Sequence, residues 1–128
     1  MNIPQELKYT QDHEWARVEG DVVTVGITDY AQGELGDIVY LELPEVGARV
    51  EQGGTFGTVE AVKAVADLYA PVSGEVIDVN TALSDAPETV NRDPYGEGWM
   101  IKIRLSNPGE LEALLDHQQY KELIAEGE

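Results

Sequence analysis

Apolar residues alternate with polar ones through most of the first hundred positions, the period of strands with one buried face. Eight strands are expected on that pattern: Leu7–Thr10, Glu14–Glu19, Val22–Ile27, Ile38–Leu43, Thr55–Val62, Val65–Ala70, Glu75–Asn80 and Met100–Leu105. Turn residues punctuate them at Glu19-Gly20-Asp21, Pro44-Glu45-Val46-Gly47 and Pro71-Val72-Ser73-Gly74. The spacing suits a sandwich or flattened barrel. A weak internal echo pairs Pro44-x-x-Gly47, before the central strands, with Pro71-x-x-Gly74 after them.

The period changes to a helical one in two places. Thr28–Leu35 reads as a short helix capped by Thr28 or Asp29. In the tail, Asn107 caps, Pro108 fits the first turn, and Leu111, Leu114 and Leu115 are expected to share one apolar face. Asp116 opens a second piece with Tyr120, Leu123 and Ile124 turned inward. The expected organisation is a single domain over 1–128, with a β core from about residue 7 to 105 and a helical segment at 108–126 closing one end.

One stretch resists these rules. Thr55–Ala70 is too long for an ordinary strand, which argues for a reversal near its middle. Yet Glu60–Ala66 offers no Asn-Gly or Asp-Gly pair to make one. Lys63 sits there between Val62 and Ala64, one of only four lysines in the chain. A solvated lysine is the simple reading of it. The alternative is an attachment point whose charge is removed by acylation.

Charge and composition narrow the possibilities. With 25 acidic and 8 basic residues the formal net charge is −17, and no Lys/Arg cluster exists to bind phosphate. Nucleic acid and anionic lipid are therefore excluded as partners, while proteins with basic faces would be steered in. No apolar run approaches the roughly 18 residues of a membrane-spanning helix. Residues 1–30 lack the pattern of a signal or transit peptide, so the expected compartment is the cytoplasm. A mitochondrial matrix protein stripped of its presequence is the alternative.

There is no cysteine, which removes disulfides, thiolate nucleophiles and cysteine-bound metal. Ser73, Ser84, Ser106, His13 and His117 form no nucleophile motif, the two histidines have no zinc-ligand spacing, and no calcium loop is present. The expectation is a protein that is not an enzyme. Asp12-His13-Glu14-Trp15 reads as a surface cluster and Asn91–Trp99 as a tight connection into the last strand. No long exposed apolar helix or free strand edge stands out, which points to a monomer.

Glu60-Ala61-Val62-Lys63-Ala64, followed by Pro71-Val72-Ser73-Gly74-Glu75-Val76, resembles the H proteins of the glycine cleavage system. So do Tyr9-x-x-x-His13-Glu14-Trp15, Gly26-Ile27-Thr28-Asp29-x-Ala31-Gln32, Gly36-Asp37-Ile38-Val39, Leu43-Pro44 and Pro94-Tyr95-x-x-Gly98-Trp99-Met100-Ile101-Lys102. The family core usually reads E-S-V-K-A, from which Ala61 departs by one hydroxyl. Biotinyl domains carry Met on both sides of their lysine, and 2-oxoacid dehydrogenase lipoyl domains carry Asp before theirs. Neither matches here, although a lipoyl or biotinyl carrier domain of another multienzyme system is the alternative reading.

The resemblance implies a mainly β, lipoyl/biotinyl-type hybrid barrel-sandwich with a short helix in its N-terminal half and a C-terminal helix. It implies lipoic acid in amide linkage to Lys63, with Glu60, Val62 and Ala64 read by the lipoylating enzyme. The implied partners are that enzyme, the pyridoxal-phosphate glycine decarboxylase (P protein), the aminomethyltransferase (T protein) and dihydrolipoamide dehydrogenase (L protein). A carrier would shuttle the aminomethyl group of glycine between the first two enzymes of the cycle and be reoxidised by the third. Glu14 and Asp67 match positions where the family's loaded arm docks. Asp12 and Glu34, at positions where other members carry different polar residues, are further candidates for arm docking.

Overall fold

A computed structural model of the chain describes residues 2–126, so residues 1, 127 and 128 of the expected domain lie outside the described residues. Among the described residues nine strands form: β1 (Lys8–Tyr9), β2 (Glu14–Glu19), β3 (Val22–Ile27), β4 (Ile38–Glu42), β5 (Arg49–Val50), β6 (Thr55–Ala61), β7 (Val65–Tyr69), β8 (Gly74–Val79) and β9 (Ile101–Leu105). Among the same residues three α-helices accompany them: α1 (Asp29–Leu35), α2 (Thr89–Arg92) and α3 (His117–Ala125). All pairings are antiparallel, in a six-stranded sheet ordered β1-β2-β3-β9-β8-β5 and a three-stranded sheet ordered β4-β6-β7. The mainly β class, the short helix in the first half and the C-terminal helix agree with expectation.

The alternation seen in the sequence is what joins the two sheets. Val23, Val25, Val76, Ile101 and Ile103 from the larger sheet meet Ile38, Leu41, Val59 and Leu68 from the smaller one in a single buried cluster. In a second cluster Ile3, Leu7, Tyr9, Trp15 and Tyr120 are buried together. Trp15 lies opposite Gly26 across β2 and β3. Its indole crosses where any side chain on Gly26 would collide with it, and its Nε1 donates to the Pro94 carbonyl at 2.9 Å.

The tail corrects one expectation. Residues 108–113 form a 3-10 turn rather than an α-helical face, and Leu114 is extended. Leu115 exchanges backbone hydrogen bonds of 2.7 and 2.8 Å with Tyr9. Strand-like pairing thus wins over helix propagation, because it satisfies both polar groups of Leu115. The three leucines therefore part: Leu111 and Leu114 join the main core, and Leu115 joins the second cluster. The helix resumes at Asp116, whose carboxylate accepts from Gln119 N–H at 2.8 Å while the Gln119 side chain accepts from Asp116 N–H at 2.9 Å.

β5, α2 and the 3-10 turn at Thr81–Ser84 were not expected, since two to four residues are too few to show a period. The echo of Pro44-x-x-Gly47 and Pro71-x-x-Gly74 has a counterpart, because the strands that come after them pair: Arg49 with Glu75 and Val50 with Gly74. Strand edges do exist, against expectation, because β4 and β7 bound the smaller sheet.

Candidate functional site

The reversal that turn rules could not place is at Val62-Lys63. Glu60 pairs with Val65, and Ala61 N–H donates to the Ala64 carbonyl at 2.8 Å. Neither Val62 nor Lys63 has a positive φ, so the turn is not one of the mirror-image types that favour Asn-Gly. Outside support replaces turn chemistry. Val62 N–H donates to the Asp37 carbonyl at 2.9 Å, and Lys63 N–H to that of Leu35 at 3.4 Å.

The segment that receives them is itself pinned. α1 is capped by Thr28, whose hydroxyl accepts from Ala31 N–H at 3.2 Å, and ends at Gly36 with φ 82°, a left-handed conformation suited to glycine. The Asn91 side-chain amide donates to the Gly36 carbonyl at 2.9 Å and to Gln32 Oε1 at 3.0 Å, and its oxygen accepts from Ile38 N–H at 2.9 Å. Asn91 thus holds the end of α1 and the start of β4 together. The Lys63 stem runs beside Gly36, so a side chain there would touch its methylenes at 3.4 Å. Lys63 itself is exposed between Val62, 71% exposed, and Val65, 69% exposed. Among the described residues the ammonium has no carboxylate at ion-pair distance.

A cleft of about 420 Å³ lies between α1 and the free edge of β7. Ile27, Ala31, Leu35, Val59, Ala66 and Leu68 give it an apolar floor. Asp12, Glu14, Glu34 and Asp67 all line it, with His13 and Tyr30, and among the described residues no lysine or arginine does. The four carboxylates named from the sequence, spread over 56 positions (from 12 to 67), therefore face one space. Ala66 and Asp67 come three and four residues of extended chain after Lys63, so the cleft begins roughly 10–13 Å from the tip. Glu60, Val62 and Ala64 lie at the tip instead, all exposed.

Glu14 differs from the other three carboxylates. It is 2% exposed, and accepts from the Thr10 hydroxyl at 2.7 Å and from Tyr69 N–H, on the β7 edge, at 3.1 Å. Both bonds favour the ionised form, but burial outweighs them and the nearby Asp12 charge adds to it, so its pKa is pushed up to about 8. The cleft thus holds a neutral acid at its base and three exposed acids at its rim.

His13 and Tyr30 were not singled out as cleft residues by the sequence. Residues 11–13 make a three-residue loop between Thr10 and Glu14, with His13 N–H donating to the Thr10 carbonyl at 3.2 Å and His13 in the left-handed region at φ 69°. That conformation points its ring into the cleft, 5.0 Å from the Tyr30 ring. A glycine or asparagine at 13 would have announced the turn; histidine did not. The candidate serines take structural parts: Ser73 donates to Glu110 at 2.8 Å and Ser106 to the Ser73 carbonyl at 3.2 Å. Asn91–Trp99 connects into β9 as expected, with Arg17 donating to the Tyr95 carbonyl at 2.9 Å.

Comparison with known proteins agrees with this geometry. The family model described as glycine cleavage H-protein matches residues 7–127. A glycine cleavage system H protein from Anaeromyxobacter sp. (strain K) is 59% identical over 128 residues, all of both chains. One from Rubrobacter xylanophilus is 60% identical over 126 residues, 98% of each. The crystal structure of a glycine cleavage system H protein from Mycobacterium marinum superposes with a TM-score of 0.88 at 43% identity, covering 96% of this chain and 99% of that one.

Proposed function

The chain belongs to the glycine cleavage H-protein family, and on that premise we propose that it carries lipoic acid as an amide on Lys63. As an H protein it is a carrier component and not a catalyst. Lipoate supplies a disulfide that takes up the aminomethyl group of glycine and a dithiol that is later reoxidised. The glycine decarboxylase loads the arm, the aminomethyltransferase unloads it to tetrahydrofolate, and dihydrolipoamide dehydrogenase restores the disulfide. Glu60, Val62 and Ala64 present Lys63 to the lipoylating enzyme, and the protein acts as a monomer. Its bacterial relatives support a cytoplasmic site of action.

One observation carries this reading: a cleft with an apolar floor and four carboxylates begins roughly 10–13 Å from an exposed lysine at a hairpin tip. The floor suits a hydrocarbon arm folded back from Lys63, and the acids suit an ammonium at its far end. That ammonium matters chemically. An amine and a thioether on one carbon separate when the nitrogen lone pair expels the thiolate, and protonation occupies the lone pair. Carboxylates favour the protonated amine. Glu14 releases its proton to solvent when the cation docks beside it, so its charge appears only where it is needed. Asp67 meets the same group from the β7 edge, with Asp12 and Glu34 extending the negative rim.

The test uses lipoylated protein loaded by the decarboxylase from labelled glycine. Glu14→Gln and Asp67→Asn should each speed spontaneous loss of the label, by roughly tenfold or more for a lost charge-assisted contact. Label released at the wild-type rate from both variants would refute the docking role.

A further inference from the structure

We propose that Tyr120, on the C-terminal helix, is a positioning residue for the cleft: its hydroxyl fixes the β1–β2 loop wall and the α1 wall relative to each other. The proposal deepens the carrier reading and rests on it for its consequence, though not for its geometry.

Tyr120 is fully buried, and its ring stacks on Tyr9 at 4.7 Å with 10° between the planes. The base of its helix is held by the Asp116 capping box and by the pairing of Leu115 with Tyr9. From that anchored ring the hydroxyl reaches His13 Nδ1 at 2.9 Å and Thr28 Oγ1 at 2.8 Å. These two partners belong to different walls. His13 stands between Asp12 and Glu14 in the loop wall, and its own ring lines the cleft. Thr28 is the N-cap of α1, which carries Tyr30, Ala31, Glu34 and Leu35 on the other wall. Thr28 N–H also donates to the His13 carbonyl at 3.0 Å, so the two walls touch here.

A hydroxyl has one proton, and the chain closes in either direction. The Thr28 O–H can donate to Tyr120, whose O–H then donates to His13 Nδ1; alternatively His13 Nδ1–H donates to Tyr120, whose O–H donates to Thr28. In both, Tyr120 donates once and accepts once, which only a phenol or comparable hydroxyl provides. His13 needs such a hold, because the left-handed backbone of a non-glycine residue persists only where its surroundings enforce it. α1 has no fully buried residue of its own, so its seat depends on contacts like this one.

The experiment compares Tyr120→Phe with Tyr9→Phe in unlipoylated protein. Both changes delete one hydroxyl from the same stacked pair, but that of Tyr9 donates to the Pro4 carbonyl, away from the cleft. At matched global stability, Tyr120→Phe should speed amide exchange across Thr28–Leu35 by roughly tenfold and shift the His13 imidazole nitrogen resonances. Tyr9→Phe should do neither. Equal exchange profiles and unshifted His13 resonances in the two variants overturn the proposal. In lipoylated, loaded protein, Tyr120→Phe should also lose the aminomethyl group faster than Tyr9→Phe. Faster exchange with label lost at the wild-type rate would uphold Tyr120 as the positioning residue and count instead against docking in the cleft.

Discussion

Glu14 receives opposing instructions from its surroundings. Two donated hydrogen bonds favour its charge, and burial at 2% exposure opposes it more strongly. The folded protein holds the proton up to about pH 8, whereas an unfolded chain releases it near the ordinary value of 4.5. Stability from this group is thus fully present below 4.5 and drains away as pH rises to about 8. Glu14→Gln keeps the shape of the protonated acid and has no proton to lose. Urea denaturation from about pH 5 to pH 8 should show wild type weakening against Glu14→Gln by roughly a few kcal/mol. Parallel stability curves would mean that Glu14 is already ionised in the empty cleft. Of these residues, the exposed place of Lys63 was legible from its setting, and the cleft carboxylates were named from the family resemblance. The reading of Asp12-His13-Glu14-Trp15 as a surface cluster fails, because Glu14 and Trp15 are buried. His13 was not legible, because its role arises from a backbone angle that its own identity barely signals.

At the scale of elements, the hairpin that bears Lys63 is held from outside. Its turn residues lack intrinsic preference, and Leu35 and Asp37 supply the acceptors that fix it, with Asn91 fixing them in turn. Asn91→Asp replaces the donating amide with a third acceptor facing Gly36 and Gln32. It should destabilise the fold by about 1–3 kcal/mol and speed amide exchange at Val62 and Lys63 beyond that at β3. Uniform exchange through the chain would show that the tip is held by its own strands. β2 and β3 were legible to the residue because the Glu19-Gly20-Asp21 turn separates two runs of strand-forming residues, although β3 is buried on both faces from Val23 to Ile27. The tip support was invisible, since it joins residues 35–37, 62–63 and 91. The break at Leu115 was hidden for the same reason, its partner being Tyr9.

For the molecule as a whole, a charge of −17 is set against little internal pairing: among the described residues one ion pair is formed, Arg104 with Glu75 at 4.0 Å and largely exposed. Such a pair contributes little, so most of the acidity is available to partners. Exchange with the glycine decarboxylase should slow as salt rises from about 50 to 300 mM, because the screening length shortens across that range. Rates that do not change would reduce the acidity to a device for solubility. The overall β architecture was legible from period alone, whereas the division into a six-stranded and a three-stranded sheet was not, since alternation says which face is buried and nothing about which strands pair.

The most direct measurement is the intact mass of the protein purified from its native host, beside a Lys63→Arg variant expressed in the same cells. The expected result is a native chain heavier than its sequence by one lipoyl group, mapped to the Lys63 peptide, and an arginine variant at its unmodified mass that supports no glycine breakdown. A native chain without the group in cells actively cleaving glycine, or an arginine variant that still sustains the reaction, would contradict the assignment of Lys63.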